Sequence, residues 1–259
     1  MIITSSSNSR LKQIALLQKK SKVRKKSGLF IEEGIRMFRE IPKERLEEVY
    51  VSESFYNKKE WMEEVTCAPI VVEDKIFQTL TDTITPQGIL AVVKQEHYLV
   101  EEILRLKENP VFLLLENIQD PGNLGTMMRT AEAAGVTGVL LSKGSVDMYN
   151  PKVVRATMGA IFRLPFAYVE DFPNLVTNLQ GKGIEVYAAS LEGAVSYDVP
   201  NYGKPTALII GNEGNGISKE TLEVSKNHIK IPMEGQAESL NAAICAAVYM
   251  YEIYRQRRN

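Results

Sequence analysis

Cysteine, histidine and tryptophan are scarce in this chain, and long apolar runs are missing. Of 259 residues, two are cysteine, two are histidine and one is tryptophan. Cys67 and Cys245 stand far apart and form no CxxC pair or Cys/His cluster, which argues against a disulfide framework and a structural zinc site. No stretch approaches the roughly 20 apolar residues of a membrane span, and the start of the chain lacks the pattern of a secretion signal. We therefore expect a cytoplasmic protein.

Acidic residues are absent from one end of the chain. The formal net charge is −1, yet residues 1–30 carry eight Lys or Arg side chains and no Asp or Glu. Such a segment is either a solvated helix face followed by a basic loop or a surface for a polyanion, whose phosphates the cations would contact. We take Lys22, Arg24, Lys25 and Lys26 as candidate contacts with such a polyanion. The basic C-terminal run at 255–258 either extends this surface or simply suits a helix end.

The order of predicted helices and strands indicates two α/β domains. The N-terminal alternation is typical of a small layer sandwich. A polar stretch without a wide apolar stripe follows and is predicted as the linker, so the expected division is 1–95, linker 96–109, and 110–259. In the first domain, helices are predicted at 8–20, 34–40, 53–64 and 75–80, and strands at 29–32, 48–51, 69–72 and 89–94.

Longer apolar strands beyond residue 110 predict a largely parallel sheet with helices on both faces. The runs at 111–116 and 206–211 are continuous and end in polar turns, which is typical of strands covered on both sides. The last helix is predicted to have Ser239 as its N-cap. Its expected apolar stripe, serving as core or as dimer interface, consists of Leu240, Ile244, Ala247, Val248 and Tyr251. Further strands are predicted at 138–141, 166–169, 185–189 and 228–231.

Three polar, glycine-bearing phrases each stand between an apolar run and a helical pattern. They are LENIQDPGNLGTMMRTAEAAGV (115–136), IIGNEGNGIS (209–218) and IPMEGQAESLNAAICAAVYMYE (231–252). Open α/β sheets place ligand sites at such positions, where strands end. In this order and spacing the phrases resemble the SpoU/TrmH family of RNA ribose 2′-O-methyltransferases.

The resemblance implies a fold, a cofactor and partners. It implies that the C-terminal domain is a Rossmann-like parallel sheet tied in a trefoil knot, binds S-adenosylmethionine without a metal, and forms homodimers. The phrases at 28–41 and 85–93 resemble the substrate-binding domain that precedes many of these enzymes. This arrangement favours ribosomal RNA as the substrate, with transfer RNA as the alternative.

The resemblance also implies site residues at matching positions. Arg129 is the main catalytic candidate; relatives have this arginine proposed as a general base. A guanidinium only donates hydrogen bonds, however, so stabilising the developing alkoxide or clamping a phosphate suits it better. An ordinary surface arginine paired with Glu132 or Glu116 is the alternative. The supporting catalytic candidates are Asn123, Glu213, Ser239 and Asn241, the cofactor contacts are Gly211, Ile231 and Leu240, and the further RNA contacts are Asn150, Lys152 and Arg155.

Some of these residues also fit a purely structural role. Gly211 lacks a side chain, so a ligand could approach its backbone closely, but a glycine after a strand is also common in plain tight turns. Ser239 could act only as a helix cap. Two further functional classes remain: a non-catalytic RNA-binding or ribosome-assembly protein, and a nucleotide-dependent oxidoreductase. The oxidoreductase needs a glycine fingerprint that GNEGNG does not match.

Overall fold

The computed structural model describes residues 2–58, 65, 67–81, 83 and 85–258. The chain forms two compact units, one of Met1–Glu96 with Asp147–Phe162 and the other of His97–Val146 with Arg163–Asn259. The segment Asp147–Phe162 therefore packs within the first unit, although the predicted boundary puts it in the second domain. Among the described residues, no helix combines the length and apolarity needed to cross a membrane.

Twelve strands and eleven α-helices make up the described secondary structure. Short 3-10 helices lie at Lys43–Arg45 and Ala160–Phe162. In chain order the elements are β1 (Ile2–Ile3), α1 (Ser9–Lys19), α2 (Ser21–Ser27), β2 (Leu29–Glu33), α3 (Ile35–Phe38), β3 (Leu46–Ser52), α4 (Glu53–Asn57), β4 (Ile70–Val72), α5 (Asp74–Thr79), β5 (Ile89–Lys94), α6 (Val100–Leu104), β6 (Val111–Leu115), α7 (Pro121–Ala133), β7 (Gly138–Ser142), α8 (Pro151–Thr157), β8 (Phe166–Val169), α9 (Phe172–Gly181), β9 (Glu185–Ala189), β10 (Val195–Ser196), β11 (Thr206–Ile210), α10 (Lys219–Val224), β12 (Asn227–Lys230) and α11 (Ala242–Arg257).

The first unit is built on a five-stranded mixed sheet with the order β1-β4-β3-β5-β2. Helix α1 begins where predicted, because the side chain of Asn8 accepts a hydrogen bond from Arg10 N at 3.0 Å and caps it. Its buried residues Leu11, Ile14 and Leu17 recur at helical spacing and pack on the sheet. The predicted helix at 53–64 is confirmed at its start by α4, while residues 59–64 lie outside the described residues.

The segment Asp147–Phe162 joins the first unit through aromatic and ionic contacts. The ring centroid of Phe30 lies 4.7 Å from that of Tyr149 and 6.2 Å from that of Phe162. Arg24 and Asp147 form an ion pair at 2.6 Å. These contacts join residues far apart in sequence, which is why the linear pattern did not reveal them.

The second unit is built on a seven-stranded sheet with the order β10-β12-β9-β11-β6-β7-β8. Every strand pair is parallel. All residues of the central strands β6 and β11 are buried, which explains their continuous apolar sequences and confirms the predicted α/β class. Since parallel strands end at one edge, the segments after β6, β9, β11 and β12 meet there.

Helix α6 lies within the predicted linker 96–109 and contributes to a core although its apolar stripe is narrow. Ile103 is fully buried in the core of the second unit, and Tyr98, Val100 and Leu104 pack against the same core. The fit on β7 is so close that a Cβ at Gly138 would lie 2.3 Å from Ile103 Cγ2. Few apolar residues suffice to pack α6 on the sheet, because the helix is short and lies against Gly138.

Helix α11 shows that the predicted apolar stripe is not its core face, and the alternative role of the stripe as a dimer interface stays a prediction. Its core-facing residues are Ala243, Ala246, Tyr249, Met250 and Ile253, whereas Ile244 and Tyr251 of the predicted stripe are 52% and 47% exposed. The predicted Ser239 cap is wrong as well, because Asn241 Oδ1 accepts from Ala243 N at 2.9 Å and Ile244 N at 3.3 Å. The helix is apolar on two sides, so periodicity alone could not identify the buried one.

Candidate active site

A cavity of about 560 Å³ lies at the edge of the second unit where β9, β11 and β12 end. The three predicted cofactor residues, Gly211, Ile231 and Leu240, all line it. Gly211 follows β11, Ile231 follows β12, and Leu240 precedes α11. The structure thus brings parts of the second and third phrases around one cavity, while the role of these residues as cofactor contacts stays a prediction.

Gly211 is required by the loop itself. A Cβ at this position would lie 2.2 Å from Gly216 C and 2.3 Å from Ile217 N, so no other residue fits without moving the backbone. Asn212 and Gly216 hold the turn closed by two main-chain hydrogen bonds of 2.9 Å. The sequence suggested that a ligand approaches the backbone of Gly211 closely, but the group that does so in the structure is the main chain of Gly216 and Ile217. The glycine therefore shapes one wall of the cavity.

Three supporting candidates form a series of hydrogen bonds beside this cavity. Asn241 Nδ2 donates to Asn123 Oδ1 at 3.0 Å, and Asn123 Nδ2 donates to Glu213 Oε1 at 3.1 Å. Asn123 lies in the first turn of α7, Glu213 in the turn after β11, and Asn241 caps α11. Each residue comes from a different phrase, so the series fixes the starts of two helices to one loop.

Glu213 also receives main-chain donors from the loop after β6. Gln119 N donates to its Oε2 at 3.1 Å and Asp120 N donates to its Oε1 at 3.0 Å. Partial burial by itself would raise the pKa of Glu213, but these bonds and the one from Asn123 outweigh it and hold the pKa below its usual value. The carboxylate is therefore a stable anchor rather than a proton acceptor at neutral pH.

Ser239 lines the cavity and is exposed. Because Asn241 caps α11, the capping role that was the alternative for Ser239 is taken by another residue. Its hydroxyl is available at the cavity wall. Its catalytic role stays a prediction.

Arg129 is exposed on α7, and its guanidinium has no hydrogen bond or ion pair with any described residue. The expected surface partners are used elsewhere. Glu132 pairs with Arg163 at 2.8 Å, and buried Glu116 accepts from Ser218 Oγ at 2.7 Å. Arg129 does not line the cavity of its own chain. It is therefore an exposed cation of α7 that lies outside the cavity wall described above.

Glu116 was missed as a site-shaping residue. It also accepts from Ser218 N at 2.8 Å and from Thr221 Oγ1 at 2.6 Å, at the start of α10. Its own N donates to Ile210 O at 2.9 Å. The signal in the sequence was an acidic residue closing an apolar strand, which is costly unless the carboxylate is fully hydrogen-bonded.

The candidate RNA contacts divide by exposure. Lys22, Lys25 and Lys26 are exposed on α2. Arg24 is buried, pairs with Asp147, and donates to Leu17 O at 2.7 Å, so it stabilises the fold and is not available to phosphates. The helix stands where one of the two alternatives had a basic loop.

The candidates on α8 belong to the first unit. Asn150 caps the helix by accepting from Lys152 N at 2.9 Å. Lys152 is exposed, while the half-buried Arg155 lies 3.9 Å from Glu33. Of the three, Lys152 is the most accessible. Among the residues with described placement, no group of three or more His, Cys, Asp or Glu is arranged to hold a metal ion.

Comparison with known proteins agrees with this geometry. The model of the SpoU rRNA Methylase family matches residues 110–251, and that of the MRM3-like substrate binding domain matches residues 8–91. The chain is 34% identical over 253 residues to the 23S rRNA (guanosine(2553)-2′-O)-methyltransferase RlmP of Bacillus subtilis, a match that covers 97% of this chain and 98% of that protein.

Two solved structures are similar over nearly the whole chain. An AdoMet-bound rRNA methyltransferase from Sinorhizobium meliloti aligns with a TM-score of 0.85 at 28% identity, covering 98% of this chain and 97% of that one. The SpoU methyltransferase AviRb from Streptomyces viridochromogenes, in complex with the cofactor AdoMet, aligns with a TM-score of 0.85 at 25% identity, covering 96% and 98% respectively.

Proposed function

This chain belongs to the SpoU rRNA methylase family, and on that premise we propose that it transfers a methyl group from S-adenosylmethionine to a ribose 2′-hydroxyl of ribosomal RNA. The observation that carries the proposal is the convergence of three separate phrases at one sheet edge. There the predicted cofactor residues line a cavity, and the series Glu213–Asn123–Asn241 joins the phrases by hydrogen bonds.

The cavity suits a cofactor that contains an adenosine. Its volume of about 560 Å³ is ordinary for a small-molecule site. Apolar Ile231, Leu240 and Tyr249 line it together with polar Ser239, a combination that fits a purine and a ribose. When bound, S-adenosylmethionine supplies an electrophilic methyl group. The task left to this chain is to hold the cofactor and align the 2′-oxygen, which can contribute about 7–11 kcal/mol.

Arg129 stabilises the developing 2′-oxyanion in this proposal. A guanidinium remains protonated and only donates, so it acts as an electrostatic stabiliser and a phosphate clamp. The proton passes to an RNA phosphate or to water. Asn123 and Asn241 orient the starts of α7 and α11, and α7 carries Arg129.

The active form is proposed to be a homodimer through the second unit, with the chain tied in the trefoil knot implied by the resemblance. Two observations support the dimer. Ile244, Tyr251 and Tyr254 are 52%, 47% and 41% exposed on α11, an apolar face that a second copy would cover. Arg129 lies outside the cavity of its own chain, so it serves the cavity of the partner protomer.

The first unit is proposed to bind the RNA. Its match to the MRM3-like substrate binding domain and its exposed Lys22, Lys25, Lys26 and Lys152 support this role. Asn150 and Arg155 belong to the same proposed surface. The predicted cytoplasmic location, where ribosomal RNA is found, is part of the same proposal.

The test is transfer of a labelled methyl group from S-adenosylmethionine to ribosomal RNA from a strain that lacks this gene. We expect one alkali-resistant linkage, and the first nucleotide to examine is the guanosine in the name of the RlmP relative. The Arg129→Ala protein is the control for contaminating activity. Labelling of transfer RNA alone would contradict the substrate, and RNA binding without any transfer would identify a non-catalytic protein.

A further inference from the structure

Asn212 connects two loops at the edge of the sheet, and the sequence suggested no role for it. Its Nδ2 donates to Asn117 O at 2.8 Å, in the loop after β6. Its Oδ1 accepts from Gly214 N at 3.0 Å and from Asn215 N at 2.9 Å. One carboxamide therefore folds the turn after β11 and ties it to the neighbouring loop.

The acceptor of this bond is held in a fixed position. Asn117 has a φ of 54°, a left-handed conformation that asparagine tolerates better than most residues. Ser142 Oγ donates to Asn117 Oδ1 at 3.1 Å and accepts from Asn117 N at 2.8 Å. A Cβ at position 144 would lie 2.1 Å from Asn117 Oδ1, so the side chain of Asn117 fits here only because residue 144 is glycine. The carbonyl of Asn117 thus presents a rigid target to Asn212.

Two consecutive residues of this turn make separate connections to the loop after β6. Asn212 reaches Asn117, whereas Glu213 reaches Gln119 and Asp120. The turn at 212–216 forms one wall of the cavity. A change at Asn212 would loosen this wall, while Glu213 would still hold Asn123 and the start of α7. The two connections therefore have separable effects.

We propose that Asn212 is a positioning residue for the cofactor. It sets cofactor affinity by fixing the wall at 212–216, whereas the series Glu213–Asn123–Asn241 acts on the transfer step. This inference rests on the proposed function. The discriminating property is the direction of the bond. Asn117 O accepts from Asn212 Nδ2 at 2.8 Å and, over a longer distance of 3.3 Å, from Gln119 Nε2, so a carboxylate at position 212 would place an acceptor against an acceptor.

The test compares Asn212→Asp and Asn212→Ala with the wild-type protein. A carboxylate keeps the two acceptor contacts but opposes the carbonyl of Asn117, so we expect the Kd and KM for S-adenosylmethionine to rise about tenfold at neutral pH. We expect kcat at saturating cofactor to stay within about twofold, because the change affects ground-state binding. Protonation restores a donor, so the Asn212→Asp protein should regain cofactor affinity as the pH is lowered toward about 5.

The control is Asn178→Asp, which adds the same charge at an exposed side chain of α9 that does not line the cavity and has no hydrogen bond to any described residue. It should show no recovery in acid. Thermal melting identifies any variant that has lost its fold. If the Asn212→Ala protein unfolds, the recovery of cofactor affinity by the Asn212→Asp protein at lower pH still tests the proposed role of Asn212. Unchanged affinity, a loss confined to kcat, or absence of the reversal would overturn the inference. A wild-type protein that neither binds S-adenosylmethionine nor methylates RNA would instead refute the proposed function.

Discussion

At the scale of single residues, Arg129 is an exposed cation on α7, the helix whose first turn carries Asn123 of the hydrogen-bond series. Replacing it with alanine should lower the single-turnover rate of methyl transfer about 10²–10³-fold, the usual effect of removing a donor to a developing oxyanion. Cofactor affinity, measured by calorimetry, should be unchanged because Arg129 is proposed to act on the 2′-oxygen and a phosphate of the RNA and not on the cofactor. Arg163→Ala is the control, since that arginine pairs with Glu132. A fully active Arg129→Ala protein would remove Arg129 from the mechanism.

Glu32 gives a prediction about pH. It is 1% exposed, and Oε2 has no hydrogen-bond partner among the described residues. Burial is the main reason that the pKa of Glu32 rises from the ordinary 4.5 to about 8, and the negative charge of Glu33 adds to the rise. The hydrogen bond from Glu33 N and the positive charge of Arg155 lower the pKa, but by less than burial raises it. The folded protein therefore keeps a proton that the unfolded chain releases above its ordinary pKa.

Glu32 should consequently destabilise the fold as the pH rises. Between the ordinary pKa and about 8, the free energy of unfolding should fall by about 1.4 kcal/mol per pH unit from this residue alone, and change no further above that window. Glu32→Gln should remove this contribution, so its advantage over wild type should grow with pH in denaturant titrations. Exposed Glu44→Gln is the control. A constant difference between Glu32→Gln and wild type would show that Glu32 is ionised in the fold.

At the scale of elements, continuous apolar strands were the most predictable feature. β5, β8 and β9 have the predicted bounds, and β6 and β11 end within one residue of prediction. Burial on both faces leaves no polar alternation to obscure such strands, and polar turns mark their ends. The same turns supplied the site residues, because a parallel sheet gathers its strand ends at one edge.

The features that the sequence did not reveal depend on contacts between distant residues. The core face of α11 could not be distinguished from its exposed apolar face, and the linear pattern favours Ser239 over Asn241 as the cap. Asn241 is the cap because its amide also reaches Asn123. Arg24 resembles the exposed cations around it in sequence, and only its pairing with Asp147 sets it apart. In each case a residue more than a hundred positions away, or packing on a second face, decides the outcome.

The end of α11 carries a stability prediction. Arg257 Nε donates to Tyr202 O at 2.7 Å, and its Nη atoms donate to Asn109 O at 3.0 Å and Thr206 Oγ1 at 3.1 Å. Arg257→Ala should therefore lower the free energy of unfolding by about 2–4 kcal/mol, since charged donors are lost from several carbonyls. Arg258→Ala should cost less than about 1 kcal/mol, because that exposed side chain only stacks 6.0 Å from the Tyr254 ring. Equal costs in chemical denaturation would refute the distinction.

At the scale of the whole molecule, a net charge near zero conceals a basic surface on the first unit. If this surface binds RNA phosphates, Lys22→Ala, Lys25→Ala and Lys26→Ala should each reduce the slope of log affinity against log salt concentration by about 0.7–0.9. The weakening should not depend on RNA sequence. Filter-binding titrations at several salt concentrations measure both quantities. Lys182→Ala, an exposed lysine of the second unit, is the control and should leave the slope unchanged.

The proposed dimer makes its own prediction, because each active site would need residues from two chains. Arg129→Ala chains keep an intact cavity, whereas Gly211→Ala chains keep Arg129 but have a Cβ forced against Gly216. Each variant alone should be inactive. In a mixed dimer, the intact cavity of one chain would meet the intact Arg129 of the other and form one working site.

Exchange of subunits at random should therefore restore about one quarter of the wild-type transfer rate, since half of the dimers are mixed and each has one of two sites intact. Circular dichroism would check that both variants fold, and transfer to ribosomal RNA after mixing is the readout. Ile244→Glu in both chains should abolish the recovery by charging the exposed face of α11. If the mixture stays as inactive as its components while mixed dimers are present by native mass spectrometry, Arg129 acts within its own chain and the proposed arrangement is wrong.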